Sequence, residues 1–101
     1  MAIPSFQDLM LPMLKLLADG REWKLANVIE ALATEFNLSP QERREKLESG
    51  PPKFDNRVAW AHTYLKAAGL VEAPRGQRGV VKITQHGRDV LAENPERIDI
   101  G

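Results

Sequence analysis

The chain has no cysteine. Disulfide staples and thiolate metal sites are therefore excluded. It also has no surplus of charge, with Lys+Arg and Asp+Glu both at 14. Proteins that hold nucleic acid non-specifically usually carry a basic excess, so the balance argues mildly against that class. A zero sum can still conceal a local basic face, and the distribution of charge has to be followed along the chain. No apolar run approaches the length of a membrane span. The opening "MAIPSFQDLM" has no basic flank before an apolar block and does not read as a signal peptide. A cytoplasmic protein without membrane contact is expected. There are only two histidines, His62 and His86. They stand far apart with no cysteine to support them, so no metal site is expected. No Ser or Thr stands in a motif with His and Asp, so the catalytic set is read as empty.

What is present fits one small domain: 101 residues, 43% of them apolar, enough for a single modest core. A first helix is predicted over about Phe6–Ala18, capped by Ser5 with Asp8 three residues on. Pro12 lies inside it, predicting either a bend or a start shifted toward Pro12. Asp19-Gly20 ends it. Arg21-Glu22-Trp23 can hold a short extended piece, with Trp23 covering the core. A second helix follows over about Leu25–Phe36, where Leu25, Val28, Ile29, Leu32, Ala33 and Phe36 keep helical spacing, and Asn37 stops it. "LSPQERREKLESG" reads as a third, mostly polar and solvated helix, with Ser39 as cap and Pro40 in the first turn. "SGPPKF" breaks it and forces an extended approach to what comes next.

The next helix is predicted over about Asp55–Ala68, with Asp55 or Asn56 as its cap. Phe54, Val58, Ala61, Leu65 and Ala68 fall on one side, and Asn56, Ala59, Thr63, Lys66 and Ala67 on the other, with Trp60 and His62 at its flanks. Trp60 and Tyr64 are read as core or wing-packing aromatics rather than base contacts. "LVEA" (70–73) and "VVKIT" (80–84) are two short strands. "PRGQRG" between them is a hairpin tip in which Gly76 and Gly79 allow positive φ. Thr84 caps a last helix through Val90 and Leu91. Two strands do not make a stable sheet alone, so the hairpin must lie on the helices. The implied fold is mainly α with a small β-hairpin: a winged helix-turn-helix with an extra helix inserted before the recognition helix.

The charges gain meaning in that frame. Between Asn56 and Arg88 the only acidic residue is Glu72, whereas Arg57, Lys66, Arg75, Arg78, Lys82 and Arg88 are basic. A neutral chain can thus present a basic face built from recognition helix and wing. The residues expected to meet double-stranded DNA are Asn56, Arg57, Thr63 and Lys66 on the helix, and Arg75, Gln77 and Arg78 on the tip. Arg57, near the apolar edge, is divided between a phosphate and an acid inside the domain.

"LMLPMLKLLADG", "FDNRVAWAHTYLKAAGLVE" and "ENPERIDI" carry a family resemblance. Asp55–Val58, Trp60-Ala61, Thr63–Leu65 and Ala68–Leu70 match the pattern Asp-Asn-Arg-Val, Trp-Ala, Thr-Tyr-Leu, Ala-Gly-Leu. Over nearly its whole length the chain resembles the N-terminal domain of Mrr-type restriction proteins. The resemblance implies a winged-helix DNA-binding module joined by a linker to a PD-(D/E)xK nuclease domain, in enzymes similar to type IV restriction enzymes that act on methylated DNA. It divides the chain into a DNA-binding domain, 1–92, and a tail, 93–101, that begins the linker. Here the chain departs from the family pattern: it stops at Gly101, and no nuclease carboxylates and lysine follow. A piece cut at the linker is expected, not itself an enzyme and without a cofactor, the Mg²⁺ belonging to the nuclease domain. Its partners would be DNA and that nuclease domain, with a homo-oligomer left open. The alternatives are a protein–protein docking or dimerisation winged helix, which exposed apolar surface on the first helix would favour, and a stand-alone transcription regulator.

Overall fold

The computed structural model describes residues 5–47, 50, 52–93 and 98. Helix α1 spans Phe6–Leu16 and continues into a 3₁₀ turn, Leu17–Asp19. Strand β1, Trp23–Lys24, leads directly into α2, Leu25–Glu35. The short α3, Pro40–Arg44, precedes the long α4, Lys53–Ala67. Strands β2, Val71–Glu72, and β3, Val80–Ile83, flank the wing tip, and α5 is Gln85–Ala92. This is the winged-helix arrangement, and no helix among the described residues is long and apolar enough to cross a membrane.

The capping chemistry explains most boundaries. The Ser5 hydroxyl accepts the Asp8 amide at the start of α1. The helix is single across Pro12, so the alternative start at Pro12 does not occur. Its apolar stripe, including Leu9, Met13 and Leu14, is fully buried, and that burial outweighs the one backbone bond proline removes. Gly20, at φ 79°, terminates the turn that follows. Asp19 next to it accepts the Arg21 amide at 2.9 Å and the Trp23 indole N–H at 3.3 Å. That places Trp23 in the sheet. The Thr84 hydroxyl accepts the Gly87 amide and donates to the Gly69 carbonyl, capping α5 while tying it to the end of α4.

Three expectations need correction. The sheet has three strands, in the order β1-β3-β2, and is antiparallel throughout. The extended piece at Trp23 pairs with Val81, and Val71 pairs with Ile83. The wing thus becomes a sheet by recruiting a strand from the far end of the sequence. The third helix is only five residues long. It carries a full Ser39–Glu42 capping box, but it has no buried residue to sustain further turns. Finally, neither Asp55 nor Asn56 caps the long helix. It begins two residues before Asp55, at Lys53, with no side-chain cap. A bridge between Lys46 and Pro52 lets the Lys53 amide donate to the Glu45 carbonyl at 2.8 Å, so backbone takes over the task of a side-chain cap. Asp55 falls in the first turn, where its charge complements the helix dipole.

The core lies between α1, α2, α4 and the sheet. Phe54, Val58, Ala61 and Leu65 of α4 are all fully buried, as the helical spacing predicts, while Ala68 at the helix end is exposed. Of the tail, Glu93 ends α5, Ile98 is buried in the core, and the rest lies outside the described residues. Leu65→Ala is expected to cost roughly 2–5 kcal/mol by leaving a cavity in this core. Gly87→Ala is expected to destabilise as well, because a Cβ there would overlap the Leu70 carbonyl and the Ile83 side chain. Urea unfolding of both variants checks the two expectations. An unchanged midpoint for Leu65→Ala would mean that α4 is turned differently.

Candidate nucleic-acid interface

Once α4 has committed one side to the core, its other side is fixed by the 100° step per residue. Thr63, Lys66 and Ala67 are exposed there, and Asn56 and Ala59 are partly buried beside them. The Thr63 hydroxyl donates back to the Ala59 carbonyl at 3.0 Å, so its oxygen faces outward only as an acceptor. Lys66 forms no ion pair among the described residues and stands clear as a cation. Arg57 is partly buried and already engaged, so it is not a free cation.

Trp60 differs from its reading as a packing residue. It is 50% exposed, which makes it the exposed large hydrophobic of the described residues. Its ring leans on Tyr64 at 6.1 Å and 34°, and Tyr64 stacks on Phe6 of α1 at 5.0 Å and 17°. The three rings form a ladder from the start of α1 to the outer surface of α4. The signal was present in the sequence as Trp60 and Tyr64 at a spacing of four. The helical step sets Tyr64 nearer the buried side of α4 than Trp60, and Phe6, a partner remote in the chain, covers it.

The wing is more ordered than a glycine-flexed tip implies. Pro74 is buried, and Pro74–Gly76 makes one 3₁₀ turn. Gly76 and Gly79 take the positive φ expected of them, and so does Arg75, at φ 53°. For a residue with a side chain that conformation costs about 1–3 kcal/mol. The Arg75 guanidinium forms a two-pronged bond to the Glu22 carboxylate, at 3.1 and 2.9 Å, and also donates to the Gln77 side-chain oxygen at 3.4 Å. Arg75 and Gln77 are therefore tied to each other and to the segment preceding β1. Arg78 is exposed and makes no ion pair among the described residues.

The segregation of charge along the sequence does not pass intact into space. Acids from the first half of the chain reach across: Glu22 takes Arg75, and Glu45 takes Lys53 at 3.4 Å. Arg43 pairs with Glu30 within the first half. Of the basic residues in the second half, Lys66, Arg78, Lys82 and Arg88 remain without an acid partner among the described residues. No three or more His, Asp or Glu side chains among the described residues could hold a metal together.

His62, on the flank of α4, is partly buried and its Nε2 has no hydrogen-bond partner among the described residues. Burial, reinforced by the Lys66 charge, holds its pKa below the ordinary value of 6.5. Asp19 and Glu42 are shifted down for a different reason: backbone amides of Arg21 and Ser39 donate to their carboxylates.

A short, antiparallel wing following a long helix with a polar outer face defines a winged-helix module. The family model for the Mrr N-terminal domain matches residues 6–93, and the chain belongs to that family. It is 34% identical over 97 residues to the type IV methyl-directed restriction enzyme EcoKMrr of Escherichia coli (strain K12), an alignment covering 95% of this chain and 31% of that enzyme. The chain thus spans about a third of that relative's length. No solved structure gives a significant match.

The unpartnered imidazole sets an expectation for stability. Between the lowered folded pKa and 6.5 the unfolded chain binds the His62 proton more tightly than the folded one. The stability associated with neutral His62 is complete above pH 6.5 and is lost as pH falls through the lowered value. His62→Gln is expected to flatten the decline in melting temperature below pH 6.5, measured by circular dichroism from pH 8 to 5. Parallel declines in both proteins would mean that His62 does not titrate with folding.

Proposed function

We propose that this domain binds double-stranded DNA and directs a linked PD-(D/E)xK nuclease domain to methylated sites. The observation that carries the reading is the outer face of α4, where Asn56, Thr63 and Lys66 share one side of a helix that leads into a wing bearing the unpaired Arg78. A helix of this kind fits the major groove, where Asn reads adenine and a cation meets phosphate. The relative's printed description as methyl-directed supports the choice of substrate. In this reading the domain is the targeting part of a restriction enzyme, acting in the cytoplasm, where such an enzyme meets DNA. The Mg²⁺ used in phosphodiester hydrolysis belongs to the linked nuclease domain.

The rival reading, a protein-docking winged helix, calls for apolar surface on the first helix. The exposed positions of α1 are Asp8 and Lys15, and its apolar residues face the core. That favours the DNA reading. Within it, the wing's roles divide. Arg78 meets phosphate directly, whereas Arg75 does so only by leaving Glu22. An exposed ion pair of this kind is worth about 0–1 kcal/mol, so a phosphate competes with Glu22 on nearly equal terms.

The test is a titration of labelled duplexes with the chain at several salt concentrations. With no net charge the single domain is expected to bind at micromolar concentrations or weaker. Arg78→Ala should reduce the slope of log K against log[salt] by about one, without sequence preference. Glu22→Gln should bind more tightly and with a steeper slope, by releasing Arg75. Asn56→Ala should lose about 1–3 kcal/mol of discrimination between sites if Asn56 makes a two-pronged base contact. Absence of binding to any duplex at any salt would overturn the reading in favour of protein docking.

A further inference from the structure

We propose that Trp60 is the specificity residue that senses the methyl group itself, with Tyr64 as the residue that positions its ring. The inference rests on the DNA-binding reading above and names the side chain responsible for its selectivity. A single exposed apolar residue is ordinary on any surface. Two features set this one apart. Trp60 lies one turn from Asn56 and from Thr63, on the flank of the stripe that faces away from the core. It is also held in place: the Tyr64 ring supports it, and Phe6, packed on the core, supports Tyr64. Ala59 and Ala67 on the same face are too small to shield it. The result is a half-exposed apolar plate backed by two further rings, on a face that also carries Asn56, Thr63 and Lys66.

The chemistry of methylated DNA calls for such a plate. The C5 position of cytosine and the N6 position of adenine both open into the major groove. A methyl group at either site therefore projects where a groove-bound helix lies. Hydrogen-bonding residues such as Asn56 read the base, but they gain nothing from a methyl group. An apolar surface does gain: burying one methyl is worth about 0.8 kcal/mol, or about fourfold in affinity. A pre-formed indole plate collects that gain without the entropy cost of ordering a flexible side chain.

The experiment compares duplexes of one sequence that carry C5-methylcytosine, N6-methyladenine or neither, using fluorescence anisotropy and the full chain. The quantity read is the ratio of Kd for unmodified to methylated duplex. Wild type is expected to show a ratio of about four per methyl contacted. Trp60→Ala should bring the ratio to about one, Trp60→Phe should retain part of it, and Tyr64→Leu should lower it. Thermal melts confirm that each variant is folded, and the Phe variant decides the matter if the Ala variant is not. A wild-type ratio of one with intact duplex binding overturns the inference and leaves the DNA reading standing. So does a ratio that persists in folded Trp60→Ala. Failure of wild type to bind any duplex removes the DNA reading and this inference together.

Discussion

The packing of α4 against α1 is the contact on which the rest of the molecule depends. Phe54, Val58, Ala61 and Leu65 of α4, and Leu9, Met13 and Leu14 of α1, are all completely buried. Side chains packed at crystal-like density allow no rotation of one helix about its axis without voids or overlap. The rotational setting of α4 is thereby fixed, and with it the residues that face outward. Phe6 at the start of α1 extends the same contact to Tyr64, so one interface determines both the core and the outer aromatic surface. The sheet depends on it too, because β2 begins a few residues after α4 ends and α5 closes over it through the Gly87 approach to Leu70.

Much of this was legible in the sequence because it is written in local rules. The 54-58-61-65 spacing predicts the buried side of α4, and Ser5, Ser39 and Thr84 mark helix starts that the structure reproduces with their expected backbone bonds. Gly76 and Gly79 predict where the wing turns. What was not legible depends on partners distant in the chain. The strand at Trp23 exists because Val81, far along, offers it an edge. The early start of α4 follows from the Glu45 carbonyl meeting Lys53, and no local capping residue announces it.

The candidate interface shows the same division more sharply. Helical spacing alone brings Asn56, Thr63 and Lys66 to one face, and the structure leaves them there. The charge count along the chain misleads, because it assumes that neighbours in sequence neutralise one another. Glu22 is remote from Arg75 in the chain yet takes it in a two-pronged bond. Trp60 is the opposite case: it reads as a packing residue in the sequence, but among the described residues its ring meets that of Tyr64 alone and it stays half exposed. The Glu22 contact is not encoded within a window of a few residues, whereas the helical step already sets Trp60 farther from the buried side of α4 than Tyr64.

The three-stranded sheet also bears on how many copies of this domain can crowd together. Its longest strand, β3, is in the middle, with Val80 and Val81 paired to β1 and Lys82 and Ile83 paired to β2, while β1 and β2, the outer strands, are two residues each. Buried Pro74 follows β2 closely and has no amide to offer a further strand. Exposed strand edges are the usual templates for unwanted pairing between molecules, and short or proline-bounded ones blunt that tendency. However closely copies of a winged domain built this way are crowded, their wings offer one another little backbone to zip together.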